Sequence, residues 1–96
     1  MPVKRPKKQY RLSGKKIVSL DGFYDEIARA MKFPKHFGRN LDALWDVLTT
    51  DIEGPLEIIW GDSALSKIFM GKDFDRAAKL LEDVAKERDD IRVTFR

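Results

Sequence analysis

Two aspartates four residues apart, Asp42 and Asp46, flank a tryptophan in the stretch HFGRNLDALWDVLTT, residues 36–50. Three kinds of chemistry could use such a pair. Carboxylates at this spacing can act as general acid and base, ligate a hard cation such as Mg²⁺, or present fixed negative charge to a cationic surface. The first two need further groups. The chain has one histidine, His36, and no cysteine. It also lacks a phosphate-cradling glycine loop and the HExxH spacing of a zinc site. No catalytic residue, metal ligand or cofactor is therefore assigned, and an enzyme is not expected. The third use requires only that the acids stand on a surface.

Helical geometry puts them on one. With about 100° per residue and Asp42 at zero, Leu41, Leu44 and Leu48 gather between roughly 200° and 260°. On the same wheel Trp45, Thr49 and Asp46 fall near roughly 300°, 340° and 40°, forming a second face beside the leucine stripe. Asn40 precedes the first turn, where its side chain can cap an orphan N–H. Asp42 complements the positive end of the helix dipole. Asp46 lies beyond that first turn and repels Asp42 at i,i+4, at a cost of a few tenths of a kcal/mol (~0.3). Asp51 and Glu53 follow, so residues 36–53 hold four acids against one base, Arg39. Trp45 has two readings, a border residue leaning into the core and an aromatic anchor for a partner.

The elements that must position this helix are legible on either side of it. QYRL, closed by Ser13-Gly14, reads as a first strand. Phe23, Ile27, Ala30 and Met31 follow the spacing of an amphipathic helix that Pro34 stops. LEIIW (residues 56–60), after Gly54-Pro55, is apolar and β-branched, the pattern of a strand buried on both faces. SALSKIFM is a short helix ended by Gly71. The longest helix carries the stripe Phe74, Ala77, Ala78, Leu81, Val84 and Ala85, and IRVTF alternates as a terminal strand. Strands separated by helices predict a small α/β domain: a three-stranded parallel sheet, reached by right-handed crossovers, packed with about four helices.

Ninety-six residues with 43% hydrophobic content suit one folded domain. No apolar run is long enough to span a bilayer, and no apolar segment follows the basic N-terminus, so neither a membrane anchor nor a secretory signal is expected. The lack of cysteine is compatible with a reducing compartment, and a cytoplasmic location is expected. Charge is unevenly distributed. Residues 1–16 carry seven bases and no acid, whereas residues 17–96 carry twelve bases and sixteen acids, a net −4. Residues 1–8 read as a basic flexible tail and residues 9–96 as the domain. A basic arm interleaved with Tyr10 also fits nucleic-acid contact, the alternative reading of function.

The run FGRNLDALWDVL, with Pro34 before it and GPLEIIW after it, closely resembles the barstar family, intracellular inhibitors of barnase-type secreted ribonucleases. The order of segments is similar from about Gln9 to Phe95. The resemblance implies a three-stranded parallel sheet with four helices, in agreement with the periodicity. It also implies inhibition by occlusion, in which this helix and its preceding loop enter the ribonuclease active site as bacterial immunity against a nuclease toxin. Carried over by position, Asp46 is the central phosphate mimic, and Asp42 meets guanidinium groups or the loop at the rim. Trp45 packs at the edge, Thr49 and Asn40 add hydrogen bonds, and Gly38 lets the backbones approach. Asp83 stands where the family places an accessory glutamate, although Lys79 and Lys86 also favour an intrahelical ion pair. His36 occupies the place of an aromatic phenol and Arg39 that of an acid, and the basic arm is an addition. These departures point to a cationic ribonuclease related to barnase, or another nuclease toxin, rather than barnase itself.

Overall fold

The structure, a computed structural model, describes residues 8–96. The predicted tail over residues 1–8 lies outside the described residues except for Lys8, which opens strand β1 (Lys8–Ser13). There follow α1 (Leu20–Met31), α2 (Leu41–Asp46), a single π-helical turn (Val47–Asp51) and β2 (Leu56–Gly61). The chain continues through α3 (Ser63–Met70), α4 (Lys72–Glu87) and β3 (Ile91–Phe95). The strands form one parallel sheet in the order β1-β2-β3, and the described residues contain four α-helices, the predicted α/β architecture. None of these helices is long and apolar enough to cross a membrane.

Strand register explains where the core sits. Tyr10, Ile58 and Val93 share one row across the sheet, and Leu12, Trp60 and Phe95 share the next. Both rows pack into the helical core. Trp60 is at its centre, stacked on Phe23 with centroids 5.0 Å apart and tilted against Phe74 at 5.0 Å. Its indole N–H donates to Ser66 Oγ at 3.0 Å, and that hydroxyl donates to the Gly14 carbonyl at 3.0 Å. A buried polar relay thus fixes α3 against the turn after β1. Gly14 is required there, because an added Cβ would lie 2.2 Å from the Asp62 carbonyl oxygen.

The second face of β2 is buried at Ile59, as the sequence pattern predicts, and half-buried at Glu57. Ile59 is buried, yet it stands outside the helical core cluster, in register between Arg11 and Thr94. Cross-strand neighbours lie within about 5 Å of each other, so Arg11 and Thr94 flank Ile59 on that face.

Each helix has a local cause. Ser19 caps α1 by accepting the Gly22 N–H at 3.0 Å. Left-handed Lys32 (φ 55°) ends that helix two residues before Pro34. Glu26 is buried although charged: it accepts the Ser13 N–H at 2.9 Å and the Arg29 Nε–H at 3.1 Å, tying α1 to β1. On α4 the predicted stripe is buried except Ala85, which is half-buried. Gly71 (φ 59°, ψ −128°) turns α3 directly into α4, a backbone conformation suited to glycine. α3 buries Ser66 and Met70 and leaves Leu65, Ile68 and Phe69 exposed.

Candidate functional site

The loop between α1 and α2 is anchored at alternate residues. Phe37 packs edge-on against Tyr24 of α1 (6.1 Å) and against Phe33 (5.1 Å). Arg39, itself left-handed at φ 52°, sends its guanidinium to α1. There Nη1 donates to Asp25 Oδ1, and Nη2 donates to Asp21 Oδ1 and, at 3.3 Å, to the Asp21 carbonyl. Bonding to Asp25 and then to Asp21 raises the Arg39 pKa above the usual arginine value. Gly38 sits between these anchors, and a Cβ there would press on the Ala43 Cβ at 3.2 Å. Asn40 closes the loop onto α2: its Oδ1 accepts the Ala43 N–H at 2.7 Å, and its Nδ2 donates to the Gly38 carbonyl at 3.2 Å. The expected cap is present. His36 is exposed in the turn that the Phe37 N–H closes onto the Pro34 carbonyl at 3.0 Å.

The α-helical wheel holds only to Asp46. Beyond it the backbone widens into the π-turn, in which the Ile52 N–H reaches the Val47 carbonyl at 3.2 Å. Val47 and Leu48, which open the turn, are both buried. Thr49 is half-buried, and its hydroxyl donates to the Trp45 carbonyl at 2.7 Å, the back-bonding that β-branched threonine favours. Its hydroxyl hydrogen is therefore used internally, and towards solvent Oγ1 offers acceptor lone pairs. Arg88 completes the turn by donating from Nη1 to the Leu48 carbonyl at 2.9 Å and the Ile52 carbonyl at 2.5 Å.

Asp42 and Asp46 are both exposed, and among the described residues neither carboxylate is in an ion pair or a side-chain hydrogen bond. Between α2 and α4 runs a groove of about 330 Å³ lined by Leu41, Asp42, Trp45, Leu80 and Asp83, with Arg76 and Lys79 at its rim. Trp45 combines the two sequence readings: its ring packs on the core cluster while it also lines the groove. Asp83 pairs with Lys79 at 3.2 Å, the intrahelical bond its spacing favours, and it faces the same groove as Asp42. Asp42, Trp45 and Asp83 are thus brought together. Asp46 and Thr49 lie outside the groove lining, and His36 and Gly38 belong to the loop before α2. Among the described residues no cluster of three or more carboxylate, histidine or cysteine side chains could hold a metal ion.

Three participants escaped the sequence reading. Asp21 and Asp25 repeat on α1 the i,i+4 acid spacing of Asp42 and Asp46, a like-charge pair that calls for a cation. That spacing was the available signal for Arg39. Arg88 has no comparable signal, because its acceptors lie 36 and 40 residues away.

The chain matches the family described as "Barstar (barnase inhibitor)" over residues 7–96. It belongs to the barstar family. It is also similar to the protein named "Putative ribonuclease inhibitor YrdF" of Bacillus subtilis (strain 168). The two are 29% identical over 79 residues, covering 82% of this chain and 87% of that protein. The barstar match spans β1 through β3 and therefore includes the loop, α2, the π-turn and the groove.

Proposed function

We propose that this barstar-family chain inhibits a barnase-type ribonuclease by filling its active site with α2 and the preceding loop, whose carboxylates stand in for RNA phosphates. One contrast carries the reading. The acids that face the loop and groove from other elements, Asp21, Asp25 and Asp83, are matched to Arg39 or Lys79. Asp42 and Asp46 have no such match among the described residues and stand on an exposed surface. Family membership and the name of the Bacillus subtilis relative support the ribonuclease as the partner.

The residues divide the work by position. Asp46, outside the groove, meets the cluster of cations that binds the scissile phosphate. Asp42 and Asp83 offer carboxylates in the groove that Trp45 also lines, a setting for an arginine side chain held by charge and by the indole face. Thr49 Oγ1 accepts from a partner donor, and Gly38 leaves room for close approach. Asn40, its Oδ1 and Nδ2 both engaged at the cap, contributes chiefly by holding α2 in place. His36 adds an exposed ring to the rim. The chain is an inhibitor rather than an enzyme, acting in the cytoplasm as immunity against a nuclease toxin.

The test is capture from the producing cells' own extract and medium, followed by a ribonuclease assay on the captured protein and, in parallel, titration of barnase. Stoichiometric loss of ribonuclease activity is the expected result. A correctly folded protein that captures and silences no ribonuclease would overturn the reading.

A further inference from the structure

Arg39 places a positive charge in the middle of a surface read as a receiver of cations. On charge alone it should oppose the partner, and removing it should tighten binding. We infer the opposite: Arg39 is a positioning residue whose charge is absorbed by α1 and whose fork holds the recognition loop in its binding orientation.

Four observations converge on this residue. Its two guanidinium nitrogens reach two different carboxylates one helical turn apart, Asp21 and Asp25, and Nη2 also reaches the Asp21 carbonyl. A planar fork makes such a divided contact in a fixed geometry, whereas a lysine ammonium is a compact point charge on a flexible stem. The trio of Asp21, Arg39 and Asp25 carries a net negative charge, so the guanidinium does not present a cationic surface. Its backbone is left-handed at φ 52°, a conformation an arginine adopts only where its surroundings hold it. Its neighbours fix the remaining geometry: Phe37 packs on Tyr24 two residues earlier, and Asn40 caps α2 one residue later. The loop is thereby tied to α1 on both sides of Gly38 before the chain enters the helix that displays Asp42 and Asp46.

The ion pairs are exposed, and such pairs individually contribute little to global stability. Their effect is local, on the order of the loop, and reaches binding through preorganisation. The binding part of the inference rests on the ribonuclease-inhibitor reading above; the positioning part does not.

The experiment compares the parent chain with Arg39→Gln, Arg39→Lys, Arg39→Gly and Asp21→Asn/Asp25→Asn. Amide hydrogen exchange of residues 36–43 is followed without any partner, and binding kinetics are measured with barnase as the probe. Arg39→Gln is expected to speed exchange of the Ala43 amide by about threefold to tenfold with little change in Tm, and to weaken barnase binding by a similar factor. Arg39→Lys should be intermediate, and the double aspartate variant should resemble Arg39→Gln. Arg39→Gly relieves the backbone strain yet loses the fork, so it too should loosen the loop.

Unchanged exchange in Arg39→Gln and Arg39→Gly would overturn the positioning role. Tighter barnase binding by Arg39→Gln would overturn it as well, in favour of a simple charge effect. If the parent does not bind barnase, the binding comparison is made with the ribonuclease captured from the producing cells, and unchanged or faster exchange of residues 36–43 decides the positioning role of Arg39 in either case.

Discussion

At Asp46 a carboxylate faces Asp42 one turn away, and no cation among the described residues compensates it. Folding gains nothing from that charge. Asp46→Ala should therefore leave Tm unchanged or slightly raised, since relief of a like-charge pair is worth only ~0.3 kcal/mol. The same substitution should weaken capture of the cognate ribonuclease by more than ~2 kcal/mol, the loss typical of a central interface residue. Asp83→Ala should cost far less, because the Asp83 carboxylate is already shared with Lys79. Binding titrations and thermal melts on the two variants check both statements. Equal losses of affinity would move the centre of the interface away from α2, and a large drop in Tm for Asp46→Ala would assign that residue to the scaffold.

Among the elements, the π-turn depends most on distant groups. Its carbonyls at Leu48 and Ile52 receive Arg88 from the end of α4, and the same guanidinium donates to Asp90, just before β3, with Nη2 and Oδ2 2.7 Å apart. Arg88→Ala removes these bonds and leaves half-buried carbonyls unmatched. It should lower stability by about 1–3 kcal/mol, seen as a lowered Tm, and should weaken ribonuclease binding by loosening Thr49. Arg88 also holds the Asp90 carboxyl below the usual carboxylate range, chiefly by hydrogen bonding. Glu57 is lowered likewise, first by the Thr94 hydroxyl and then by Gln9. A folded-state pKa below the unfolded value gives stability that is present above the unfolded pKa and is lost as pH falls through the folded one. Tm should thus decline as pH drops below the ordinary carboxylate values, and Arg88→Ala should show a shallower decline. These dependencies explain what was legible in the sequence. Strands and α-helices were, because periods of two and 3.6 are set by neighbours in the chain, as was the Asn40 cap. The Lys79–Asp83 pair was too, being an i,i+4 contact. The π-turn and the Arg39 fork were not, because Arg88, Asp21 and Asp25 are brought to them only by the fold.

Over the whole molecule, charge is separated along the sequence. Seven bases crowd residues 1–16, while the acids Asp42, Asp46, Asp51 and Glu53 gather around α2 and the π-turn. Arg11 and Arg92 are exposed and stand in register with Ile59 and Glu57, on the strand face opposite the rows that enter the helical core. A cationic ribonuclease should be drawn to the acidic end and slightly repelled by the arm. Screening shortens the reach of these forces to about 10 Å at 0.1 M salt. Association with the cognate ribonuclease should therefore slow by about tenfold between 25 mM and 500 mM salt, while dissociation changes less. Asp46→Ala should flatten that slope. Removing residues 1–7 should raise the association rate at low salt, and it spares Lys8, which is paired with Leu56 in β1. Stopped-flow rates across ionic strength check all three. A flat rate for the parent chain would deny steering by the acidic end. If the shortened chain loses nucleic-acid retention and still inhibits fully, contact of the arm with nucleic acid is separate from inhibition.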